Sequence, residues 1–281
     1  MKNNLKYSIV IRTHNHKELL GELLKKIKKQ KKVLKPEIVI IDSSSTDGTQ
    51  ELAIKKGCKI FQINSLNFTH AHTFNLGAEK SKNELIVYAS VDIIPKNDFW
   101  LFHLLKHFKN KKVGGVFGKQ EPIRGLNPIE EFKIKKFFPD NEKSVARFSN
   151  ASGVIRKSVW KKLRYNESVP FQYIGGEDQI WATKAKKKGY KIIYEPKSIV
   201  YHSHKYLLKI RLKGAYELEL NKHKFDEWNK NVFILNYNKI DLIIYLLKKG
   251  AFKSLFFDLI WGGFLMRLYA IKGKIDRKNL I

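Results

Sequence analysis

A chain of 281 residues can bury a full core, as one large domain or two small ones. Its single cysteine, Cys58, excludes a disulfide framework and a four-cysteine zinc site, and fits a reducing compartment. The formal charge of +29 favours an anionic partner such as nucleic acid, anionic lipid or a phosphorylated substrate, yet only eight of the 55 basic residues are arginine, the usual reader of bases.

Met1 to Lys6 carry no leader signature and no apolar run reaches about 18 uncharged residues, so neither a signal peptide nor a membrane-spanning helix is expected. Tyr7 to Ile11 reads as a first strand ending at Arg12-Thr13-His14-Asn15. Leu19, Leu20, Leu23, Leu24 and Ile27 are spaced as one helix face between His16 and Lys29, and the lysine run Lys25 to Lys35 reads as a solvated face. Glu37 to Ile41 gives a second strand, ending in a loop from Asp42 to Thr49 that feeds a helix capped by Asp47 or Thr46 and stopped at Gly57. Lys59 to Ile63 is a third strand, and Phe68 to Lys80 a helix with its approach loop. Leu85 to Ala89 is an apolar fourth strand of the kind buried on both faces. It ends at Ser90-Val91-Asp92, and Pro95 forbids its continuation.

This alternation predicts a parallel, doubly wound sheet, whose carboxyl strand ends share one edge. Thr13, Asn15, Asp42 and Asp92 all stand at such ends and converge on one crevice. Neither G-x-G-x-x-G nor a Walker-type phosphate loop occurs. A diphosphate bound here would therefore be held by a metal, for which Asp92 supplies a carboxylate oxygen; its other reading is a helix cap.

Past residue 100, Phe99 to Lys109 is an amphipathic helix and Val113 to Gly118 a strand. Residues 121–140, with Pro122, Pro128 and Pro139, read as a long irregular loop. Phe148 to Arg156 is a strand entering a helix at Lys157 to Leu163. Gly175-Gly176-Glu177-Asp178 places two carboxylates at a helix start, either a capping device or a general base in a mobile site. Tyr190 to Tyr194 and Ile199 to Tyr201 are strands, the second ending in His202-Ser203-His204, either structural or metal-ligating. Residues 205–281 hold 16 basic and seven acidic side chains around apolar runs. Such a tail lies on an anionic membrane surface, packs on the preceding domain or forms a homodimer.

Five spaced motifs carry a resemblance: Ile-Val-Ile-Arg-Thr-His-Asn, Ile-Asp-Ser-Ser-Ser-Thr-Asp-Gly-Thr, Tyr-Ala-Ser-Val-Asp-Ile-Ile-Pro, Gly-Gly-Glu-Asp-Gln-Ile-Trp-Ala and Tyr-His-Ser-His. Together, over residues 5–205, they are similar to family 2 glycosyltransferases of the GT-A fold. Phe68-x-His70-x-x-Thr73-x-Asn75, Asp-Ile-Ile-Pro, Tyr-His-Ser-His-Lys-Tyr and the closing Gly-Phe-Leu-Met-Arg-Leu-Tyr-Ala-Ile-Lys-Gly-Lys resemble the bacterial rhamnosyltransferase-like branch.

The resemblance implies an α/β, Rossmann-like, mostly parallel sheet with helices on both faces, plus a C-terminal helical tail. Residues 1–205 would form the glycosyltransferase domain, with 1–118 binding the nucleotide sugar and 119–205 the acceptor and base; 206–281 would be the tail. It implies an inverting transfer of a sugar from dTDP-rhamnose or a UDP-sugar to a glycan or lipid-linked acceptor, in capsule or lipopolysaccharide assembly, in the cytoplasm or on the membrane's cytoplasmic face. Thr13, Asn15, Asp42, His70, Asn75, Ser90 and Val91 would bind the donor, with Asp42 on a pyrimidine base. Asp92, His202 and His204 would hold Mn2+ or Mg2+. Asp178, supported by Glu177, would be the catalytic base, and Asn150, Ser152, Gly176 and Trp181 would face the acceptor. Ser90 replaces the first Asp of the family's D-x-D, Phe74 stands where an Arg is usual, and Ala71-His72 replace Gly-Gly.

Two other classes remain. A sugar nucleotidyltransferase needs a glycine-rich loop that Arg12-Thr13-His14-Asn15 is not. A nucleic-acid-binding module would account for the charge, but no stacking motif, helix-turn-helix or zinc knuckle is present, so no nucleic-acid partner is expected.

Overall fold

Short runs rich in Val and Ile form the strands, and helices with one apolar face cover them. The computed structural model describes residues 3–141, 148–168, 176–204, 208–221, 239–254, 256 and 262–278. Gly175 of the glycine–acidic motif and 205–206 of the histidine motif lie outside the described residues. Two compact units result: Met1–Glu121, Phe138–Glu167 and Glu177–His202 form one, and Pro122–Phe137, Ser168–Gly176 and Ser203–Ile281 the other.

The first unit is built on one eight-stranded sheet, ordered β3-β2-β1-β4-β7-β6-β8-β5. The strands are β1 Tyr7–Thr13, β2 Glu37–Asp42, β3 Lys59–Gln62, β4 Leu85–Ser90, β5 Ile94–Pro95, β6 Val113–Glu121, β7 Ser152–Arg156 and β8 Lys191–Tyr201. β1 pairs in parallel with β2 and β4, and β2 with β3, as the alternation requires. The second half is mixed: β7 runs antiparallel to β4 and β6, β5 antiparallel to β8, and β6 parallel to β8.

The helices of this unit are α1 Lys17–Lys28, α2 Thr49–Lys55, α3 His70–Lys80, α4 Trp100–Leu105, α6 Lys157–Lys162 and α7 Glu177–Lys187, with α5 Pro128–Phe137 in the second unit. α1 buries Leu20, Leu23, Leu24 and Ile27 against Ile9 and Ile11, each worth about 1.5–3 kcal/mol of apolar burial. Leu19, expected on the same face, is exposed.

Three expectations are corrected. Residues 121–140 are not irregular throughout, since α5 occupies their middle. Pro128 suits a first helical position, and Asn127 Oδ1 accepts the Ile129 N–H at 2.8 Å. The two expected strands 190–194 and 199–201 are one strand, β8. Its register on β6 jumps from Gly118↔Glu195 to Lys119↔Ile199, and Pro196, with no N–H to give, falls in the skipped stretch. The expected helix 99–109 is α4 followed by a 3-10 turn, Lys106–Lys109.

In the second unit, Ile129 and Phe132 of α5 pack with Leu242 and Leu246 of the helix Lys239–Lys248. The helix Leu208–Asn221 meets the helix Gly262–Lys278 so closely that a Cβ at Gly273 would stand 2.6 Å from the Tyr216 carbonyl oxygen. Tyr216 donates to Asp276 Oδ2 across the same contact, at 2.8 Å. Among the described residues, no helix is long and apolar enough to cross a membrane.

Candidate active site

β1 lies between β2 and β4, so the strand order reverses there and the carboxyl ends of the strands open a crevice. In register, Thr13 stands opposite Asp42 and Arg12 opposite Ser90. The antiparallel β7 brings its start to the same edge, with Ser152 opposite Ala89 and the Ser90 N–H donating to the Ala151 carbonyl at 3.0 Å.

The loops after β1 and β2 are knitted together. Asn15 and Ser44 adopt left-handed backbone (φ 52° and 61°), which Asn tolerates best among non-glycine residues. The Asn15 side-chain oxygen accepts the Thr46 N–H at 2.8 Å, and its own N–H donates to Ser45 Oγ at 2.8 Å. Asp42 is fully buried: Oδ1 accepts from the Ser45 N–H (2.9 Å) and Gln50 Nε2 (2.7 Å), and Oδ2 from Ser45 Oγ (2.5 Å). Its carboxylate thus organises the loop from within. Thr13 Oγ1 is buried beside it with no hydrogen-bond partner among the described residues.

On α3, capped by Thr69 Oγ1 on the His72 N–H, His70 accepts a hydrogen bond from the Arg12 guanidinium. Asn75 is an interior joint: its oxygen accepts from Trp160 Nε1 and the Tyr165 N–H, and its nitrogen donates to the Tyr165 carbonyl.

After β4 the chain turns at once. The Ile93 N–H donates to the Ser90 carbonyl at 3.2 Å, Val91 is buried, and Ser90 Oγ donates to Asp92 Oδ1 at 2.5 Å. His202, just past β8, directs Nε2 at Asp92 Oδ1, 3.5 Å away. Its Nδ1 faces Gln120 Oε1 at 2.8 Å, while Gln120 Nε2 donates to Ser149 Oγ at 2.9 Å. In the neutral ring with Nδ1–H given to Gln120 Oε1, the Nε2 lone pair faces a carboxylate oxygen. Two acceptors facing each other suit a cation between them, and a histidine oriented through its other nitrogen is the usual support of a metal ligand. Carboxylate plus imidazole fits Mn2+ better than Mg2+, which prefers all-oxygen shells. His204 stands two residues on, in the second unit.

Asp178, in the first turn of α7, accepts from the Asn150 N–H through Oδ2 (3.1 Å) and from the Gln179 N–H through Oδ1 (2.7 Å). Burial raises its pKa above the ordinary carboxylate value, although both N–H groups and Arg12 pull the other way. Glu177 beside it is buried. Asn150 is itself fixed by donating to the Tyr165 hydroxyl at 2.9 Å. Ser152 and Trp181 are interior: Ser152 Oγ accepts from Trp100 Nε1 at 2.8 Å, and Trp181 packs between Phe148 and Tyr165. Gly176, at φ 155°, precedes α7 and belongs to the second unit.

Arg12 has no role in the sequence reading, yet Glu177, Asp178 and Asp92 all act on its charge. Burial holds its pKa below the usual guanidinium value, against the opposing pull of these three carboxylates. Asp92 and Asp178 thus share one neighbourhood around Arg12, while Asp42 sits one strand further over, inside the loop. The available signal was the register of β1 on β4, which sequence does not print.

The sequence profile of glycosyl transferase family 2 matches residues 8–161, more than half of the chain. The chain belongs to that family. This glycosyltransferase is 30% identical over 216 residues to the O-antigen chain rhamnosyltransferase RfbN of Salmonella typhimurium, covering 72% of its own length and 68% of RfbN. It is 30% identical over 191 residues to the O-antigen chain rhamnosyltransferase WbaN of Salmonella anatum, covering 63% of its length and 60% of WbaN.

Among solved structures, it is similar to the mannosyltransferase PcManGT from Pyrobaculum calidifontis, solved with GDP-Man and Mn2+ (TM-score 0.64, 18% identity, 98% of this chain and 87% of that one). It is also similar to glucosyl-3-phosphoglycerate synthase from Mycobacterium tuberculosis, solved with Mn2+, UDP-glucose and phosphoglyceric acid (TM-score 0.58, 14% identity, 76% and 78%). These likenesses establish the GT-A fold.

Proposed function

We propose that this glycosyltransferase moves a hexosyl group, with inversion, from dTDP-rhamnose or a UDP-sugar to a hydroxyl of a glycan or lipid-linked acceptor in surface polysaccharide assembly. The O-antigen rhamnosyltransferases named above support the donor and the pathway class. The observation that carries the reaction is the Asp178 carboxylate, held by the Asn150 N–H at the edge where β4 ends and Asp92 turns. An acceptor hydroxyl is a weak nucleophile at neutral pH, and a positioned carboxylate that takes its proton is worth about 10²–10⁴-fold.

In this reading Thr13, Asn15 and Asp42 form the nucleoside wall. The unpartnered Thr13 hydroxyl supports it, because a buried hydroxyl left without a partner costs about 1–3 kcal/mol unless a ligand satisfies it. Ser90, Val91 and His70 shape the diphosphate end. Asp92 and His202, with His204 two residues along the chain, would hold Mn2+ or Mg2+. Such a cation supplies Lewis-acid neutralisation of the departing diphosphate. Glu177, Asn150 and Gly176 line the acceptor side, and Asn75, Ser152 and Trp181 serve as interior supports of these groups. The glycosyltransferase domain comprises residues 1–205, and 206–281 form a basic tail that docks the enzyme on the cytoplasmic face of the membrane.

The test is turnover with dTDP-rhamnose and UDP-sugars, with Mn2+, Mg2+ or chelator, on purified glycan and lipid-linked acceptors. Product NMR reads the anomeric configuration. Retention of configuration, or turnover indifferent to chelator, would overturn the mechanism.

A further inference from the structure

We propose that Arg12 is a fixed cation of the donor site, pairing its guanidinium with the donor's diphosphate and carrying part of the charge that Ser90, in place of a second carboxylate, leaves to a weaker metal site. The inference rests on the functional reading above. Four observations carry it. Arg12 stands opposite Ser90 across the β1–β4 pair, at the topological switch point of the sheet. Its guanidinium carbon lies over the Phe74 ring, 4.2 Å from the centroid, with that ring braced edge-on by Tyr88. One Nη donates to His70 Nδ1 and reaches Thr73 Oγ1 at 3.5 Å. Ser90, its register neighbour, is tied to Asp92, the group read as the metal ligand.

A guanidinium stacked on an aromatic ring and anchored through one nitrogen keeps its remaining N–H groups in a fixed fork, the geometry that matches two phosphate oxygens. Burial lowers its pKa, and Glu177, Asp178 and Asp92 oppose that shift. In the displacement, the bond from the anomeric carbon to the diphosphate oxygen breaks with its electron pair going to that oxygen. The acceptor oxygen bonds to the carbon from the opposite face, and its proton goes to Asp178. Arg12 neutralises the charge gained by the diphosphate without moving.

The experiment is calorimetric binding of dTDP and UDP, and of the matching monophosphates, to wild type, Arg12→Lys and Arg12→Met, each with Mn2+ and with chelator. Arg12→Met should weaken the diphosphate by about tenfold or more and the monophosphate much less, and should raise the Mn2+ concentration needed for half-saturation. Arg12→Lys should fall between. Should Arg12→Met fail to fold by circular dichroism, Arg12→Lys carries the test, with a loss of several-fold expected for the diphosphate alone. Unchanged diphosphate affinity in a folded variant, with only the pH profile of turnover displaced, would reduce Arg12 to a neighbour of Asp178 and overturn the proposal. A wild-type protein that binds neither diphosphate would overturn the functional reading itself, and this inference with it.

Discussion

A carboxylate that must accept a proton works only while ionised, and Asp178 is held above its ordinary pKa by burial. The sign follows directly: turnover is full above the raised value and is lost as pH falls through it. The acid limb of kcat should therefore lie above about 4, where an unperturbed Asp would put it. A limb at or below that value in a pH–rate profile would count against Asp178 as the base. Asp178→Asn should cut kcat by about 10²–10⁴-fold while leaving nucleoside diphosphate affinity nearly unchanged, as read by calorimetry. At this scale the residue types were legible in the sequence: Thr13, Asn15, Asp92 and Asp178 all stand where polar groups at strand ends and helix starts were expected. Asp42 is the instructive case. Its position at the end of β2 was readable, but its full burial under Ser45 and Gln50 was not, because both partners come from a loop whose path sequence leaves open.

Elements hold these residues in place, and two of them make separate predictions. Gly153 of β7 leaves no room for a side chain, since a Cβ there would stand 2.7 Å from the Ser149 carbonyl oxygen. Gly153→Ala should push Ser149 to Ala151 outward and carry the Asn150 N–H off Asp178. Turnover should then fall on the order of 10- to 100-fold in a protein that still folds, measured by kcat alongside circular dichroism. In β8, Glu195 is buried. Burial alone would raise its pKa, but hydrogen bonds from His107, Lys106 and the Lys197 N–H hold it down to about 2. A depressed carboxylate contributes stability that is present above its unfolded value and lost as pH falls through the folded one. Glu195→Gln should therefore cost on the order of 2–3 kcal/mol in urea unfolding at pH 7, with the difference shrinking between about pH 4.5 and 2. Equal stability of the two proteins at pH 7 would remove that role.

At the scale of the whole molecule, two helices of the second unit carry exposed apolar side chains. On the helix Lys239–Lys248, Ile240, Ile243, Ile244 and Leu247 form an exposed stripe, while Leu242 and Leu246 turn inward. On Gly262–Lys278, Phe264, Leu268, Ile271 and Ile275 repeat the pattern at helical spacing. Exposed apolar stripes on a chain of charge +29 fit an anionic bilayer surface. Liposome flotation should show binding to phosphatidylglycerol vesicles, weakened by salt and by the double change Leu268→Asp, Ile271→Asp, with circular dichroism confirming the fold. No flotation of the wild type would end this assignment.

Local periodicity determined the first half of the sheet and the polar groups at its edge, because strand and helix patterns are written within a few residues of one another. The family was legible by resemblance, through five motifs that fall in order along one chain. Tertiary structure alone decided that β7 enters antiparallel, that Pro196 makes a bulge rather than a break, and that Arg12 reaches the acidic groups. Each of those depends on register between segments some 40 to 170 residues apart, and pairing at that distance leaves no pattern in either segment read by itself.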